Sequence, residues 1–246
     1  MKKSNLFLVI SLLIFTSCAE LMKVAQTLDT SRPLTQTEII AGLKEALIVG
    51  TDSSASKLGI VNGYYGDDLV KILLPPEADP IVKNLSKIPG GEKLLNDVIL
   101  RINRAAENAA SEAKPIFINS IKSMTIADAV GILKGSDNAA TQYLHNSTYA
   151  QLMNLYSPKI RESLDKKLVA GISTNDSWNK LTGEWNKVAR SIIGQVAGFK
   201  PVEIKLEEYL TAKALDGLFL KIAEEEKQIR KDPLARVTDL LKRVFA

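Results

Sequence analysis

Residues 92–114 read EKLLNDVILRINRAAENAASEAK and predict a long amphipathic helix. Apolar side chains recur every three or four positions along it, which is the spacing of one face of an α-helix. This face comprises Leu95, Val98, Ile99, Ile102, Ala106, Ala109 and Ala113. Because its second half is alanine, a neighbouring backbone has room to approach closely. Pro115 follows directly and is expected to kink or end the helix.

Helix-start signals flank this stretch on both sides. Residues 35–38 (Thr-Gln-Thr-Glu) form a capping box, and Thr125 with Asp128 has the same spacing. Ser157-Pro158 predicts a further helix start. Aromatic residues make up only 6% of the chain, which favours helices over a β-sandwich. We therefore expect an all-α, multi-helix fold, which the chain is long enough to form as one large domain or two small ones.

Two short stretches have the pattern of strands. Residues 202–206 alternate apolar and charged side chains, a period of two that is typical of a strand. Residues 69–74 form a short, mostly apolar run that two prolines end. Each is the natural partner of the other, so we expect a small two-stranded antiparallel ribbon between residues 69–74 and 202–206.

The N-terminal residues have the parts of an export signal. Two lysines precede an apolar run over residues 6–14, and small residues lead from it to Cys18. A lone cysteine in this place resembles the bacterial lipobox, in which the thiol is lipidated and the signal is cut before it. We expect a lipoprotein signal peptide over residues 1–17, lipidation of Cys18 and a lipid-anchored tether over residues 18–34.

A second cleavage site competes with the lipoprotein interpretation. Ser17-Cys18-Ala19 also fits ordinary signal cleavage before Glu20, which would remove the cysteine and leave a soluble periplasmic protein. With lipidation, the resemblance to bacterial sorting signals predicts the periplasmic face of the outer membrane, because no Asp follows Cys18. The membrane is then a partner through the acyl chains on Cys18.

Charge and motifs restrict the other partners. The net charge of +4 falls to +2 without residues 1–17, because two lysines and no acid are lost. This is too weak to predict nucleic-acid binding. The single histidine, His145, has neither a nucleophile motif nor metal-ligand spacing to accompany it, and a phosphate-binding glycine loop is absent. We therefore predict no cofactor, no metal and no catalytic residue.

Several runs of sequence are characteristic of one bacterial family. They are residues 103–107 (NRAAE), 112–117 (EAKPIF), 137–143 (DNAATQY) and 213–219 (KALDGLF), with a tail over 222–233. Together they resemble the bacterial domain-of-unknown-function family 4197, whose members are typically exported. The resemblance covers nearly all of residues 35–246. It implies a single, predominantly helical domain and implies no activity.

One polar flank of the 92–114 helix is the candidate site. Its members at spacings of three and four are Arg101, Arg104, Asn108 and Glu112, with Glu107 on the adjoining row. Such a flank can bind an anionic or sugar-like ligand through Arg104, or it can form salt bridges that position the helix. Convergence of Arg104, Glu107 and Asp216 in a concave pocket, with shifted pKa values, would favour an enzyme or a ligand-binding site.

These observations lead to two hypotheses about function. The first is a non-enzymatic binding or scaffold protein of the cell envelope, whose partner is an unidentified envelope protein or ligand. The alternative is a hydrolase-like envelope enzyme, or a small-ligand binder, that uses the flank around Arg104, Glu107 and Glu112.

Overall fold

The computed structural model describes residues 33–79, 82–83, 91–167, 173–236 and 238–244. The predicted signal peptide, Cys18 and the tether up to residue 32 lie outside these ranges. The α-helices within them are α1 (Gln36–Leu58), α2 (Gly91–Ser111), α3 (Lys114–Ser123), α4 (Ile126–Lys134), α5 (Ala139–Asp165), α6 (Thr174–Ala189), α7 (Ile192–Val196), α8 (Leu206–Lys231) and α9 (Asp239–Val244). Short 3₁₀ turns cover Pro76–Ala78 and Pro233–Ala235.

Side-chain caps set where α1 and α4 begin. The Glu38 amide donates to Thr35 Oγ1 at 3.2 Å, and the Thr35 amide donates back to Glu38 Oε2 at 2.8 Å. Thr125 and Asp128 repeat this exchange at 3.1 and 2.9 Å. Both capping boxes predicted from the sequence are confirmed. A cap of this kind contributes roughly 1 kcal/mol to a helix.

The core lies between α1, α5 and α8. Helix α8 packs on both α5 and α1, α2 packs along α5, and α3 and α4 each contact α1 and α5. The alanine face of α2 is buried as predicted, and Pro115 lies in the first turn of α3, where its missing N–H is no loss. The all-α fold is confirmed for the described residues.

The predicted helix start at Ser157-Pro158 is wrong. Both residues lie inside α5, which is continuous from Ala139 to Asp165. Tyr156 and Ile160 are fully buried on either side of the proline, so packing holds the helix together across it. Pro158 has no N–H to donate to the carbonyl oxygen one turn earlier. Because Pro158 is exposed, that oxygen can bond to water instead.

The predicted ribbon between residues 69–74 and 202–206 is also wrong. The part of the chain that the structure describes contains no β-strand, and its one isolated bridge joins Lys167 and Ser173. Residues 69 and 70 lie in a turn and Leu206 begins α8, while residues 71–74 and 202–205 have no regular secondary structure and pack separately, each on a helix.

Asparagine side chains take the place of the missing strand partners. Asn103 of α2 accepts the N–H of Ile72 and donates to its carbonyl oxygen, both at 2.8 Å. Asn186 of α6 holds Val202 in the same way, at 2.7 and 2.8 Å. Because these backbone groups are already satisfied, neither stretch needs a neighbouring strand.

No single helix in the described ranges has both the length and the hydropathy to cross a bilayer. Helices α3 and α4 pass that test only as a pair, and the pair is bent by 104°. Both contribute to the core, through Phe117 and Ile121 of α3 and Ala129 of α4.

Candidate functional site

The polar flank of α2 divides between two surroundings. Arg104 and Asn108 line a cleft between α2 and α5. Glu107, on the adjoining row, instead contacts the loop that follows α1. The flank therefore combines a part that holds the fold with a part that is open to a ligand.

Glu107 is a buried carboxylate with its acceptor positions filled. It is only 4% exposed, and its Oε1 accepts the N–H groups of Tyr64 and Tyr65, both at 3.2 Å. Its Oε2 pairs with Arg104 Nη1, while Arg104 Nη2 donates to Asn62 Oδ1 at 2.7 Å. Asn62 has a positive φ of 69°, so this network fixes a left-handed turn. Glu107 is a structural group in this position.

The cleft between α2 and α5, which we call the α2–α5 cleft, has a volume of about 280 Å³. Its lining comprises Arg104, Ala105, Asn108, Lys159, Glu162, Ser163 and Lys166. The lining carries three cations, one carboxylate, an amide and a hydroxyl group, and each cation is paired with a carboxylate in or beside the cleft. The volume lies just below the roughly 300–1,000 Å³ of small-molecule sites, so the cleft suits a small anionic group.

The two lysines of the cleft are held by partners that are easily exchanged. Lys159 Nζ donates to Glu112 Oε1 at 2.8 Å and to Asn108 Oδ1 at 3.3 Å. Lys166 Nζ lies 3.4 Å from a Glu162 carboxylate oxygen. The carboxylates of both pairs are more than half exposed, and exposed ion pairs contribute at most about 1 kcal/mol. An incoming anion can therefore replace them at small cost.

The predicted flank residues lie in or beside this cleft, apart from Glu107. Arg104 and Asn108 line it, and Glu112 borders it through its ion pair across to α5. The main-chain oxygen of Arg101 accepts a hydrogen bond from Ser163 Oγ at 3.0 Å, which ties α2 to α5 at one end.

Asp216 does not belong to the site. It lies on α8, is exposed and pairs with Lys213 at 3.0 Å, one turn away on the same helix. The structure therefore does not bring Arg104, Glu107 and Asp216 together in a pocket. The polar cleft that it does form is completed by α5.

The lysines of α5 were missed by the sequence analysis, although a signal for them exists. Lys159, Glu162, Ser163 and Lys166 are spaced by three and four, so they form one row of a helix. The direction in which this row faces depends on how α5 packs against α2, which the spacing does not predict.

A second buried carboxylate, Glu226 of α8, was also missed. It accepts the N–H of Ala140 at 3.0 Å and the N–H of Thr141 at 2.8 Å, and it pairs with Arg230 at 2.8 Å. These amides belong to the first turn of α5, whose own N-cap residue, Asn138, offers no side-chain cap. Glu226 thus caps α5 from another helix.

Other polar features lack the geometry of a site. His145 is exposed on α5 and stacks against Tyr149 and Phe219, at 4.7 and 4.8 Å between ring centres. Within the described ranges, no three His, Cys, Asp or Glu side chains are grouped to hold a metal ion. A cavity of about 20 Å³ beside Glu226 is large enough for about one water molecule.

Comparison with known proteins gives one match. The model of the family described as "Protein of unknown function (DUF4197)" matches residues 33–246, nearly the whole of the chain. The chain belongs to the DUF4197 family. The resemblance found in the sequence runs is thereby confirmed. No curated protein and no solved structure matches this DUF4197 chain.

The runs that indicated the DUF4197 family contain residues that hold the fold together. Asn103 and Glu107 bind the loop after α1. Gly217 allows that loop to contact α8, and Glu226 caps α5. The residues of the α2–α5 cleft that come from α5 lie outside those runs.

Proposed function

We propose that this DUF4197 protein is a lipid-anchored protein of the cell envelope that binds a small anionic ligand in the α2–α5 cleft. The observation that carries the proposal is the convergence of Arg104, Lys159 and Lys166 from two helices on one polar cleft. Charge-assisted hydrogen bonds from such groups are the strong ones in anion recognition.

The arrangement of Arg104 favours selective binding. Its guanidinium is anchored by Glu107 and Asn62, and is still about one third exposed beside the cleft. A preorganised guanidinium loses little freedom on binding, and the N–H groups that Glu107 and Asn62 leave unused can donate to carboxylate or phosphate oxygens. Lys159 and Lys166, on flexible side chains, then adjust to the rest of the anion.

The carboxylates near the cleft support binding rather than hydrolysis. Glu107 is occupied by two backbone amides and Arg104, so it is not free to take a proton from water. Glu112 and Glu162 are exposed and each lies beside a lysine. None of the three has the pairing with a nucleophile or water-binding group that general-base catalysis needs.

The envelope location rests on the N-terminal sequence. The charged, apolar and small-residue segments precede Cys18 in the order of a lipoprotein signal, and multiple acyl chains on that residue would form a stable anchor. About 16 residues of tether then span at most about 55 Å, so the helical domain stays close to the bilayer surface.

The ligand proposal is tested by calorimetric titration of the full chain with pyrophosphate as the probe. We expect saturable binding that the double variant Lys159→Gln/Lys166→Gln weakens by about tenfold or more. The matched control, Lys134→Gln/Lys227→Gln, removes the same charge from exposed positions on α4 and α8 and should bind within about twofold. Equal weakening in both variants would contradict the proposed site.

The anchor is tested independently by feeding radiolabelled fatty acid to cells that express the protein. Label should enter the wild type and be absent from a Cys18→Ala variant. Equal labelling of the two proteins, or wild-type protein recovered free in the periplasm, would contradict the anchor and leave the ligand test unaffected.

A further inference from the structure

The end of α6 and the short helix α7 present an apolar surface to solvent. Ile192, Ile193 and Val196 are 82%, 80% and 86% exposed, and Val188 and Phe199 beside them are also exposed. We call these five residues the apolar tip. Such a concentration of exposed large apolar side chains marks an interaction surface.

The fold of the tip keeps these side chains outward. Ser191 Oγ caps α7 by accepting the Gly194 amide at 3.1 Å. At the other end, Phe199 N–H donates to the Gly194 carbonyl at 2.9 Å, around a left-handed residue, Gly198, with φ of 75°. This Schellman-type ending fixes the turn. The hydrogen bonds at the two ends of α7 therefore hold its apolar side chains facing solvent.

Several polar groups around the tip are paired within it. Ser191 Oγ donates to the Val188 carbonyl at 2.7 Å, and Gln195 Nε2 donates to the Arg190 carbonyl at 2.9 Å. At its base, the Trp185 indole N–H donates to the Lys200 carbonyl at 2.9 Å. A segment that enters an apolar medium needs its polar groups paired internally, because no water is available there. The side chains of Ser191, Gln195 and Trp185 meet that requirement.

Positive charge surrounds the tip. Lys187, Arg190 and Lys200 flank it. Lys187 pairs with Glu184 at 2.7 Å and Arg190 with Glu203 at 3.2 Å, both in exposed ion pairs, and no acidic residue occurs between these two glutamates. The stretch between Glu184 and Glu203 carries three cations and no carboxylate, while Lys205 beyond it pairs with Glu208. Cations of this kind are attracted to anionic lipid headgroups.

We propose that the apolar tip inserts into the interfacial layer of a bilayer that contains anionic lipid. The aliphatic side chains enter the acyl boundary, and Lys187, Arg190 and Lys200 lie at the level of the lipid phosphates. Trp185 and Phe199 pack together with 5.2 Å between ring centres, at the position where aromatic residues collect in membrane proteins. The tip requires neither acylation of Cys18 nor a ligand in the α2–α5 cleft.

The test places a fluorescent probe at the tip of the full chain. In a Cys18→Ala background, Val196→Cys supplies the sole thiol for an environment-sensitive dye. On vesicles of phosphatidylethanolamine and phosphatidylglycerol, the emission should shift to the blue, gain intensity several-fold and be quenched by nitroxide-labelled acyl chains. The control, Lys134→Cys at the end of α4, should keep the emission that it has in water.

If the protein binds vesicles only through its N-terminal apolar run, the dye at residue 196 stays in water. That result would overturn the proposal. Burial of the dye only when an envelope protein is added, without lipid, would also overturn it. Replacing Ile192 and Ile193 with aspartate should abolish the quenching at position 196 while the melting temperature stays unchanged, because both side chains are already exposed. Vesicles of phosphatidylcholine alone should give several-fold weaker quenching.

Discussion

The side-chain amide of Asn103 bonds both to the N–H and to the carbonyl oxygen of Ile72, at 2.8 Å in each case. A neighbouring β-strand offers the same donor and acceptor to a residue in its partner. Asn103 is fully buried and also donates to the Ile99 carbonyl within its own helix. One side chain therefore attaches the loop around Ile72 to α2 without a sheet.

Replacing Asn103 with leucine keeps the approximate shape and removes both bonds. We expect the free energy of unfolding to fall by about 2–5 kcal/mol, because the Ile72 amide and carbonyl are left buried and unpaired. Urea unfolding should show a lower midpoint with an unchanged slope. Asn154→Leu, at an exposed position of α5, is the control and should stay within about 0.5 kcal/mol of wild type.

The hydrogen-bond partners of the two stretches expected to form the ribbon could not be predicted, because an alternating pattern indicates at most an extended backbone and not the groups to which that backbone bonds. Alternation over residues 202–206 is the same whether Val202 bonds to a strand or to the side chain of Asn186. By contrast, the helix starts at Thr35 and Thr125 depend on residues three positions apart, so local sequence was sufficient. Continuity of α5 through Pro158 depends on buried neighbours, which local signals do not contain.

Removing the Glu107 carboxylate tests its structural role. Glu107→Ala leaves the Tyr64 and Tyr65 amides without their acceptor and deprives Arg104 of its buried partner. We expect a loss of about 3–5 kcal/mol in the free energy of unfolding. Glu112→Ala, which removes an exposed carboxylate just after the same helix, should cost less than about 1 kcal/mol. Similar unfolding midpoints for the two variants would contradict the assignment.

Gly217 of α8 marks a close approach between that helix and the loop after α1. A Cβ atom there would lie 2.9 Å from a Tyr64 ring carbon and 3.1 Å from Val70 Cβ. Tyr64 cannot move aside, since it is fully buried and its hydroxyl donates to the Ala214 carbonyl at 2.7 Å. Gly217→Ala should therefore destabilise the protein by about 1–3 kcal/mol.

The matched glycine for this test is Gly131 of α4, where a Cβ would meet nothing within 4 Å. Gly131→Ala should leave the protein unchanged or stabilise it by up to about 1 kcal/mol, because alanine is the better helix former. Thermal unfolding of both variants checks the pair. A stabilised Gly217→Ala would show that α8 and the loop do not make this contact.

Acid should weaken the contact between α8 and the loop after α1. The Lys221 ammonium, 2.7 Å from Asp67 Oδ2, holds the pKa of Asp67 below its usual value of 3.8. The stabilisation from Asp67 is complete above pH 3.8, and it is lost as the pH falls further, through the lowered pKa of the folded state. The stability difference between wild type and Asp67→Asn, measured by urea unfolding, should therefore be constant at neutral pH and vanish in strong acid. A difference that persists in strong acid would show that Asp67 acts through packing.

The α2 half of the candidate site could be predicted, and the α5 half could not. Helical spacing is enough to place Arg104 and Asn108 on one flank. Whether Lys159 and Lys166 face that flank depends on how α5 docks against α2, which is set by long-range packing of the core. The same spacing does not predict that Glu107, on the adjoining row, accepts backbone N–H groups of the loop after α1.

The binding site is located most directly by a proton–nitrogen NMR titration of the full chain in detergent micelles with pyrophosphate. We expect saturable shifts confined to the backbone amides that border the α2–α5 cleft, around Arg104, Asn108, Lys159, Ser163 and Lys166. Saturation should be lost in Lys159→Gln/Lys166→Gln. Shifts that grow without saturation and appear equally at exposed lysines elsewhere, such as Lys134 and Lys227, would contradict an anion site in this cleft.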